Sequence, residues 1–536
     1  LRALYAQGYY GGVIRIRLDG IEAAELPLLQ LPGQIKKVDI RVIPGPKFRF
    51  GRAEMAPLAP QDPASDDGST TGLPEGFATD KPAPSTVIRG AVRAAVSDWR
   101  DAGHAKAAPV AQSIRADHAR ARLDASVTLA PGPRVTFGAL VQDDASAVRS
   151  ERIARIAGLP SGEVFSPATL DEVATRLRRT GAFASVALRE ADRLGRADSG
   201  DASMDITLSL VDAPPRRFGL GAEVSAPDGV TLSGFWLHRN MFGGAERLRV
   251  DGRIAQIGGT AGTDYSLAVR LDRPAVLGPA SNGYLTAGLD RLNEPGFATD
   301  TAELGAGVTF FRSDTHEIAL GMGVRQSRTI ENGTTVQRDS LLTFPVALTR
   351  DLRDDVLAPR DGSFVAVTTT PFAGLGDSAS GARTTLDARR YMAMPSILSG
   401  ILSGAPSQAT LAGRVQVGSL WGAEADTVVP DFLFYSGGTG TVRGQPYQSL
   451  GLGATGGRSF LGLSAEARFP VRGDLGIVAF ADAGYIGSDP LFEGTGDWHS
   501  GAGLGLRYDT GVGPIRLDLA VPVGGDTGDG LQIYIG

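Results

Sequence analysis

One arginine in a glycine-rich stretch, GGTGTVRGQPYQSLG (437–451), is the residue best placed to form a specific ionic contact. Five glycines and no helical periodicity predict a loop. Arg443 lies between Val442 and Gly444 and is the only cation of the stretch. A guanidinium can donate two parallel hydrogen bonds to one carboxylate. Arg443 is therefore either a solvated loop residue or the partner of a particular acidic side chain.

Residue types used in catalysis and metal binding show no comparable arrangement. The five histidines are scattered and form no H-x-x-x-H or similar ligand pair. Neither a G-x-S-x-G motif nor a phosphate-binding G-x-x-x-x-G-K-[ST] motif occurs. Acidic pairs such as Asp354–Asp355 are typical of solvated turns. We therefore predict a protein that is not an enzyme and that needs neither a cofactor nor a metal ion.

Composition narrows the class of protein further. The 536-residue chain has a net charge of −6 and no basic stripe interleaved with aromatic residues, which argues against nucleic-acid binding. It has no cysteine, so disulfides and thiolate chemistry are excluded, and its 72 glycines are about twice the usual share. No apolar run approaches the roughly 18 residues of a membrane-spanning helix. This length test does not detect membrane barrels, because their strands are short and alternate apolar with polar residues. Since the sequence opens on Leu1 without a signal peptide, we expect a processed or trimmed chain.

A repeated motif organises the first 215 residues. PGPKFRFG (44–51) recurs as PGPRVTFG (131–138) and, more weakly, as APPRRFGLG (213–221). Each copy follows a predicted helix that ends in glycine and a pair of strands. This order of elements resembles that of POTRA domains, the periplasmic modules that lead into outer-membrane assembly barrels, although generic α+β domains fit the repeats equally well. The predicted bounds are 1–45 for a partial module and 46–132 and 133–215 for complete modules.

From residue 216 onward, helical periodicity gives way to strand patterns. We count sixteen strand-like segments in residues 216–536, at a spacing of about 20 residues, as expected for a membrane barrel with strands of 9–11 residues. The even count, the glycine-rich polar face and the consecutive hairpins favour a closed, all-β, 16-stranded antiparallel transmembrane barrel over a soluble sandwich. The segment that starts near 458 shows the alternation, with Leu461, Leu463, Ala465, Ala467 and Phe469 on the lipid face and Ser464, Glu466 and Arg468 on the lumen face. The later segment GPIRLDLAVPV adds Leu517 and Leu519 to the lipid face.

Strand parity assigns the loops to the two sides of the membrane. With both ends in the periplasm, connections after even-numbered strands are periplasmic, and GVG (511–513) is a short example. The glycine-rich loop follows strand eleven and is therefore the sixth extracellular loop. On strand thirteen, Phe480, Asp482 and Gly484 face the lumen, where a carboxylate is tolerated and a glycine leaves room for a loop to approach.

Three motifs together resemble the signature of the BamA/TamA outer-membrane assembly superfamily: VRG (442–444), FADAG (480–484) and GLGLRYDTGVGPIRLDLAVP (503–522). The resemblance covers the whole chain and is closest to the TamA branch, since GG-x-x-x-VRG is followed by PYQSLG and two and a half modules fit three. It implies that the sixth loop folds into the barrel and that Arg443 pairs with Asp482. Gln445 departs from the pattern, because the family usually has an aromatic residue there, and this weakens the packing expected beside Arg443.

The resemblance also implies a function. We expect a factor in the outer membrane of a Gram-negative bacterium, with its N-terminal modules in the periplasm, that inserts or exports β-barrel or autotransporter-type clients without a cofactor. The alternative is a two-partner secretion pore for a dedicated exported protein, while a porin-like channel is disfavoured by the modules. The implied partners are unfolded outer-membrane client proteins, an inner-membrane-anchored TamB-like protein and outer-membrane lipid.

The expected mechanism uses the seam at which the barrel closes. The first strand (217–226) and the last strand (530–536) must meet there, and we expect part of the short last strand to be missing from the sequence. Few backbone bonds would then hold the seam, and an incoming strand could pair with its edges. The predicted seam residues are Phe218, Leu220, Leu531, Ile533 and Tyr534.

Overall fold

A computed structural model gives the architecture of the chain. The residues described are 1–536 except 27–34, 61–72, 75, 197–201, 226–228, 260–261, 295, 332, 334, 395–408, 452–455, 511–512, 526–529 and 536. Two residues of the predicted turn GVG (511–513) thus lie outside the described residues. Within the described part, no helix is both long and apolar enough to cross a bilayer.

The chain divides into two compact units. The first comprises Leu1–Asp144, Leu159–Ala174 and Ala187–Ser209, and the second comprises Ala145–Gly158, Thr175–Val186 and Leu210–Gly536. Two segments within the range predicted for the last module thus group with the barrel. The predicted module bounds remain a prediction.

The N-terminal part contains three small sheets with helices. In the second and third sheets, the first strand pairs in parallel with the last, which requires a crossover that carries the helices. The first sheet has the strand order Ile21–Glu22, Val13–Leu18, Val38–Ile43, and the second has the order Arg49–Ala56, Arg122–Ala130, Ala108–Asp117. The third sheet has the order Val135–Gln142, Ala202–Asp212, Phe183–Glu190, and the short strand Gly195–Arg196 also pairs with Ala202–Asp212. The helices are Arg2–Ala6, Ser85–Asp101, Ser150–Ala157 and Pro167–Arg179, with a short 3-10 turn at Ala23–Glu25.

The helix Ser85–Asp101 shows how one module builds its core. Ile88, Ala91, Ala95 and Trp99 recur at helical spacing and are buried. They pack on the sheet beneath, and the indole N–H of Trp99 donates to a backbone carbonyl at 2.9 Å, so the ring has no unsatisfied donor.

The C-terminal part is a closed antiparallel barrel. Each strand pairs with its sequence neighbours, and the first strand pairs with the last. The strands are Arg216–Ser225, Gly229–His238, Arg247–Ile257, Asp264–Pro274, Ser281–Glu294, Phe297–Phe311, His316–Glu331, Thr335–Thr343 continued by Val346–Asp351, Gly362–Gly374, Gly381–Ala393, Thr410–Trp421, Ser459–Arg472, Leu475–Gly487, Asp497–Thr510, Gly513–Gly524 and Gln532–Ile535.

The eighth strand is interrupted but counts as one strand. Its two pieces both pair with the seventh and ninth strands. Between them lies Pro345, which has no N–H to donate to a ladder, while its carbonyl accepts from Gly321 N–H at 2.9 Å. The barrel therefore has sixteen strands, and the fold predicted from the sequence is confirmed.

Strand lengths differ from the expectation. The seventh strand, His316–Glu331, has 16 residues rather than 9–11. At about 3.3 Å per residue and a tilt of about 40°, it rises about 40 Å, which exceeds the roughly 25 Å apolar band of an outer-membrane barrel. The excess length extends beyond the bilayer.

Alternation along the strands sets the two faces of the barrel. Leu463 lies opposite Val415 and Ala483 in one outward row, while Ser464 lies opposite Asp482 in the adjacent lumen row. The lumen can therefore hold polar side chains at membrane levels where the outer face contacts acyl chains.

Candidate functional site

The described residues of the sixth extracellular loop, 422–451 and 456–458, are folded into the lumen. Its first half contains the short 3-10 turn Pro430–Phe432 and packs on apolar lumen-facing side chains. This packing gives a glycine-rich loop a defined path. The buried loop residues are Ala423, Val428, Val429, Phe432, Leu433, Phe434 and Leu450, and the barrel residues that they contact are Leu341, Phe372, Leu420, Phe460 and Ile486.

A buried aspartate fixes this first half of the loop. Asp431 forms an ion pair with Arg325 of the seventh strand. Arg383 of the tenth strand donates from Nε to the Phe432 carbonyl at 3.0 Å, and its guanidinium lies 4.5 Å from the centre of the Phe434 ring. Burial raises the pKa of Asp431, although the charges of Arg325 and Arg383 oppose that rise. The loop therefore has an acidic anchor on the wall formed by strands seven and ten.

The tip of the loop places Arg443 against the thirteenth strand. Its Nε and Nη2 atoms donate to the two carboxylate oxygens of Asp482 at 2.8 and 3.0 Å, the two-pronged geometry of a guanidinium with a carboxylate. The Arg443 backbone N–H adds a third hydrogen bond to Asp482 at 3.1 Å. The guanidinium also lies 3.6 Å from the centre of the Phe480 ring. Arg443 thus contacts Asp482 and Phe480, two residues that the sequence analysis placed on the lumen face of this strand.

Two further carboxylates contact the same guanidinium. Arg443 Nη1 donates to Glu466 of strand twelve at 2.9 Å and to Asp518 of strand fifteen at 3.2 Å. Arg468 pairs with Glu466 and Arg507 pairs with Asp518, so three arginines face three carboxylates. Burial alone would lower the pKa of the Arg443 guanidinium, but its hydrogen bonds to Asp482 and the charges of the three carboxylates raise it above the usual range. Arg443 is therefore a permanent cation.

Small residues let the loop approach the wall so closely. A Cβ on Gly484 would lie 2.3 Å from Ser436 Oγ and 2.9 Å from Val442 Cγ2, so a side chain there would displace the loop. Gly444 has a φ of +93°, a left-handed conformation that favours glycine, and a Cβ on it would lie 2.5 Å from the Val521 carbonyl oxygen. The two glycines thus allow direct contact between loop and strand backbones.

The loop tip also contacts the last strand. Gly444 N–H donates to the Tyr534 hydroxyl at 3.1 Å, across the lumen face of strand sixteen. Gln445, where the superfamily usually has an aromatic residue, is fully buried and donates to the carbonyls of Ser500 and Gly524 at 2.7 and 3.1 Å. The amide thus joins strands fourteen and fifteen by hydrogen bonds where a ring would join them by packing.

Of the predicted seam residues, Tyr534 is paired across the seam in the described chain. In the described residues, the first strand pairs with the last at Val224–Ile535 and Ser225–Tyr534. The described last strand pairs with the first strand only near the extracellular end of the first strand. The remaining predicted seam residues, Phe218, Leu220, Leu531 and Ile533, pair at no seam position in the described chain, and Phe218 and Leu220 are 78% and 91% exposed.

The sequence analysis did not identify Glu466, Asp518 or Asp431 as partners in the site. Glu466 and Asp518 could have been found, because they lie on the lumen face of alternating strands, as Asp482 does. Asp431 had no comparable signal, since it lies in the loop, where alternation gives no information. No group of three or more potential ligand residues that could hold a metal ion occurs among the described residues.

Comparison with known proteins places this architecture in a family. Residues 240–536, more than half of the chain, match the Omp85 superfamily domain. The chain belongs to the Omp85 superfamily. This Omp85 protein is therefore an outer-membrane β-barrel whose N-terminal modules lie in the periplasm, as the sequence predicted, although closeness to TamA remains a prediction.

Solved structures share the fold of this Omp85 protein at low identity. The structure of BamA from Haemophilus ducreyi lacking POTRA domains 1-3 is 13% identical, covers 90% of this chain and 99% of its own, and has a TM-score of 0.66. CdiB from Acinetobacter baumannii is 12% identical, covers 91% and 89%, and has a TM-score of 0.55. At such identities the likeness concerns the fold alone.

A curated relative comes from a plant. Outer envelope protein 80, chloroplastic, from Arabidopsis thaliana is 27% identical over 356 residues, which is 60% of this chain and 46% of that protein. The chain therefore spans about half the length of this relative.

Proposed function

We propose that this Omp85 protein inserts or exports β-barrel or autotransporter-type client proteins by pairing their strands at the seam between its first and last barrel strands. The observation that carries the proposal is the hydrogen bond from Gly444 N–H to the Tyr534 hydroxyl, beside the Arg443 contacts. Through this bond, the loop inside the lumen contacts the strand that closes the barrel. Release of the loop and opening of the seam are therefore coupled events.

This role uses the strand edges at the seam. Among the described residues, strands one and sixteen pair at Val224–Ile535 and Ser225–Tyr534. Unpaired N–H and C=O groups on a strand edge are the groups with which an added strand pairs. The edge of the first strand, Arg216–Ser225, is where a client strand would add first.

The modules provide a second edge for an extended partner. The strand Ala108–Asp117 lies at the edge of its sheet and is exposed along its whole length. We assign to this edge the first contact with unfolded clients or with a TamB-like partner, which would deliver them to the barrel.

A disulfide across the seam tests the proposal directly, since the chain has no cysteine of its own. Val224 and Ile535 lie directly opposite each other, at the Cα separation that a disulfide can bridge. The oxidised variant with Val224→Cys and Ile535→Cys should fail to insert an outer-membrane client into proteoliposomes, and reduction should restore insertion. Val324→Cys with Leu342→Cys, an opposed outward pair between strands seven and eight, is the matched control that should insert clients in both redox states.

The secretion pore, the alternative expected from the sequence, is the second candidate. It predicts a different result for the same variant. A substrate that passes through the lumen requires the loop to leave but the seam to stay closed, so the oxidised variant would keep translocating. Full client insertion by the oxidised seam variant would refute the seam mechanism.

A further inference from the structure

A row of charged side chains crosses the outer, membrane-facing surface of the barrel. Register places Arg291, Asp300, Arg328 and Arg338 directly opposite one another on strands five to eight. We call these four residues the arginine row. Their neighbours two positions along each strand, such as Leu289 and Ala302, share the outward face, so the row lies on the outer side of the wall.

The arginine row carries uncompensated positive charge. Arg291 Nη1 lies 3.3 Å from Asp300, which supplies the row's carboxylate. Arg328 and Arg338 are directly opposite each other and exposed, and within the described chain neither forms an ion pair or a side-chain hydrogen bond. Like charges at opposed positions of a sheet destabilise it. On a surface that contacts lipid, an anion from outside the chain is needed to compensate them.

A groove lies beside the row on the same face. It has a volume of about 1000 Å³, and the arginine row forms one end of its lining. The lining on strands two to five includes apolar side chains, whereas polar residues such as Gln326 and Ser340 lie beside the arginine row. The apolar residues are Leu232, Ile254, Tyr265, Leu267 and Leu289. Gly252 lies in the floor, and a Cβ on it would meet nothing within 4 Å, so the groove is open above it.

The row lies at the extracellular boundary of the membrane. Each of its members is three residues from the extracellular end of its strand, which is about 10 Å. Tyr265, directly opposite Arg291, is at the same level and is an aromatic residue of the kind that outer-membrane barrels place at the interface. The groove extends from this level toward the membrane interior.

We propose that this groove binds a phosphate-bearing glycolipid of the outer leaflet, of the lipid A class. The phosphates contact Arg328 and Arg338, and acyl chains lie along the apolar floor over Gly252. Charge complementarity supports this occupant, because a cationic row next to an apolar groove matches a lipid with an anionic headgroup. The position at the extracellular end of the strands selects the outer leaflet, where such glycolipids reside.

Native mass spectrometry of the full chain in an uncharged detergent tests the site, with lipid A as the probe. The intact protein should retain lipid A in preference to dephosphorylated lipid A. The double variant Arg328→Ala, Arg338→Ala should bind lipid A about 25-fold more weakly, about fivefold for each arginine. Arg350→Ala is the matched control, since Arg350 is an exposed outward arginine at the periplasmic end of the same strand as Arg338, and it should bind normally.

Two further variants separate the site from effects on folding. Arg328→Lys with Arg338→Lys keeps both charges and should retain most lipid A binding. Gly252→Leu should fill the groove and weaken binding, whereas Gly413→Leu, at an outward glycine on strand eleven, should not. Heat-modifiable migration on gels checks that each barrel is folded.

Three results would overturn the proposal. They are normal lipid A binding by the folded double alanine variant, equal retention of dephosphorylated lipid A, and equal retention of phosphatidylglycerol. The last result would show that any anionic headgroup suffices and that the outer-leaflet glycolipid is the wrong occupant.

Discussion

The contact between Arg443 and Asp482 predicts a measurable coupling between loop and strand. Arg443→Ala removes four hydrogen bonds to carboxylates, two of them to Asp482. It leaves Asp482, whose side chain is 1% exposed, with the Ser464 hydroxyl as its remaining side-chain donor in the described chain. Hydrogen bonds to charged groups contribute about 1.5–3 kcal/mol each. Breaking a buried pair typically costs about 3–5 kcal/mol. We therefore expect either single alanine variant to lower the free energy of loop release by about 3–5 kcal/mol.

The assay uses the absence of native cysteine. Val442 is fully buried beside Arg443, so a thiol in Val442→Cys reacts with a maleimide only when the loop leaves the wall. The ratio of the reaction rate to that of a free thiol gives the free energy of release. The double variant should lose little more than either single variant, which corresponds to a coupling energy about as large as one single loss, about 3–5 kcal/mol. Arg443→Lys should still cost about 1.5–3 kcal/mol, because an ammonium cannot reproduce the two-pronged contact.

A null result is well defined. If the two alanine substitutions add to within about 0.5 kcal/mol, the side chains are not energetically coupled, and Arg443 is an ordinary loop residue. A control thiol at Thr439, which is exposed, should react at the same rate in all backgrounds.

Three other predictions concern the barrel, the modules and the second anchor. Leu463→Arg, on the lipid face, should destabilise the barrel by about 2–4 kcal/mol in a refolding titration, whereas Thr368→Arg, on the lumen face, should cost far less; equal costs would contradict the assignment of the faces. Deletion of residues 46–132 should leave a heat-resistant barrel that fails to insert clients in proteoliposomes, and normal insertion would show that this module is dispensable. Asp431→Ala should remove the buried partner of Arg325, which keeps Glu303 at 3.4 Å, and should cost about 3 kcal/mol in the same refolding titration, with Asp426→Ala, elsewhere in the loop, as the control.

The barrel could be predicted from the sequence because apolar and polar residues alternate with a period of two along each strand. This alternation shows which face of the strand contacts lipid. That pattern predicted sixteen strands even though one of them is broken at Pro345. It also placed Asp482 in the lumen, where the structure shows it. Loop residues show no such alternation, so Asp431 could not be found from its position in the sequence.

The extra contacts of Arg443 show a second limit. A motif resemblance supplied one partner, Asp482, whereas the guanidinium contacts three carboxylates from three strands. Which lumen-facing carboxylates lie at the same level depends on strand stagger, and stagger is not visible in a single strand's pattern.

The two anchors of the sixth loop carry opposite charges and contact different parts of the wall. Asp431 pairs with Arg325 of strand seven and lies near the charge of Arg383 of strand ten, whereas Arg443 contacts carboxylates of strands twelve, thirteen and fifteen. A loop that entered the lumen with its two halves exchanged would bring Asp431 to the carboxylates and Arg443 to the arginines. Both contacts would then be repulsive in a poorly solvated space. The order of the two charges along the loop therefore favours a single docked orientation. A glycine-rich segment that is released can then return to the same position.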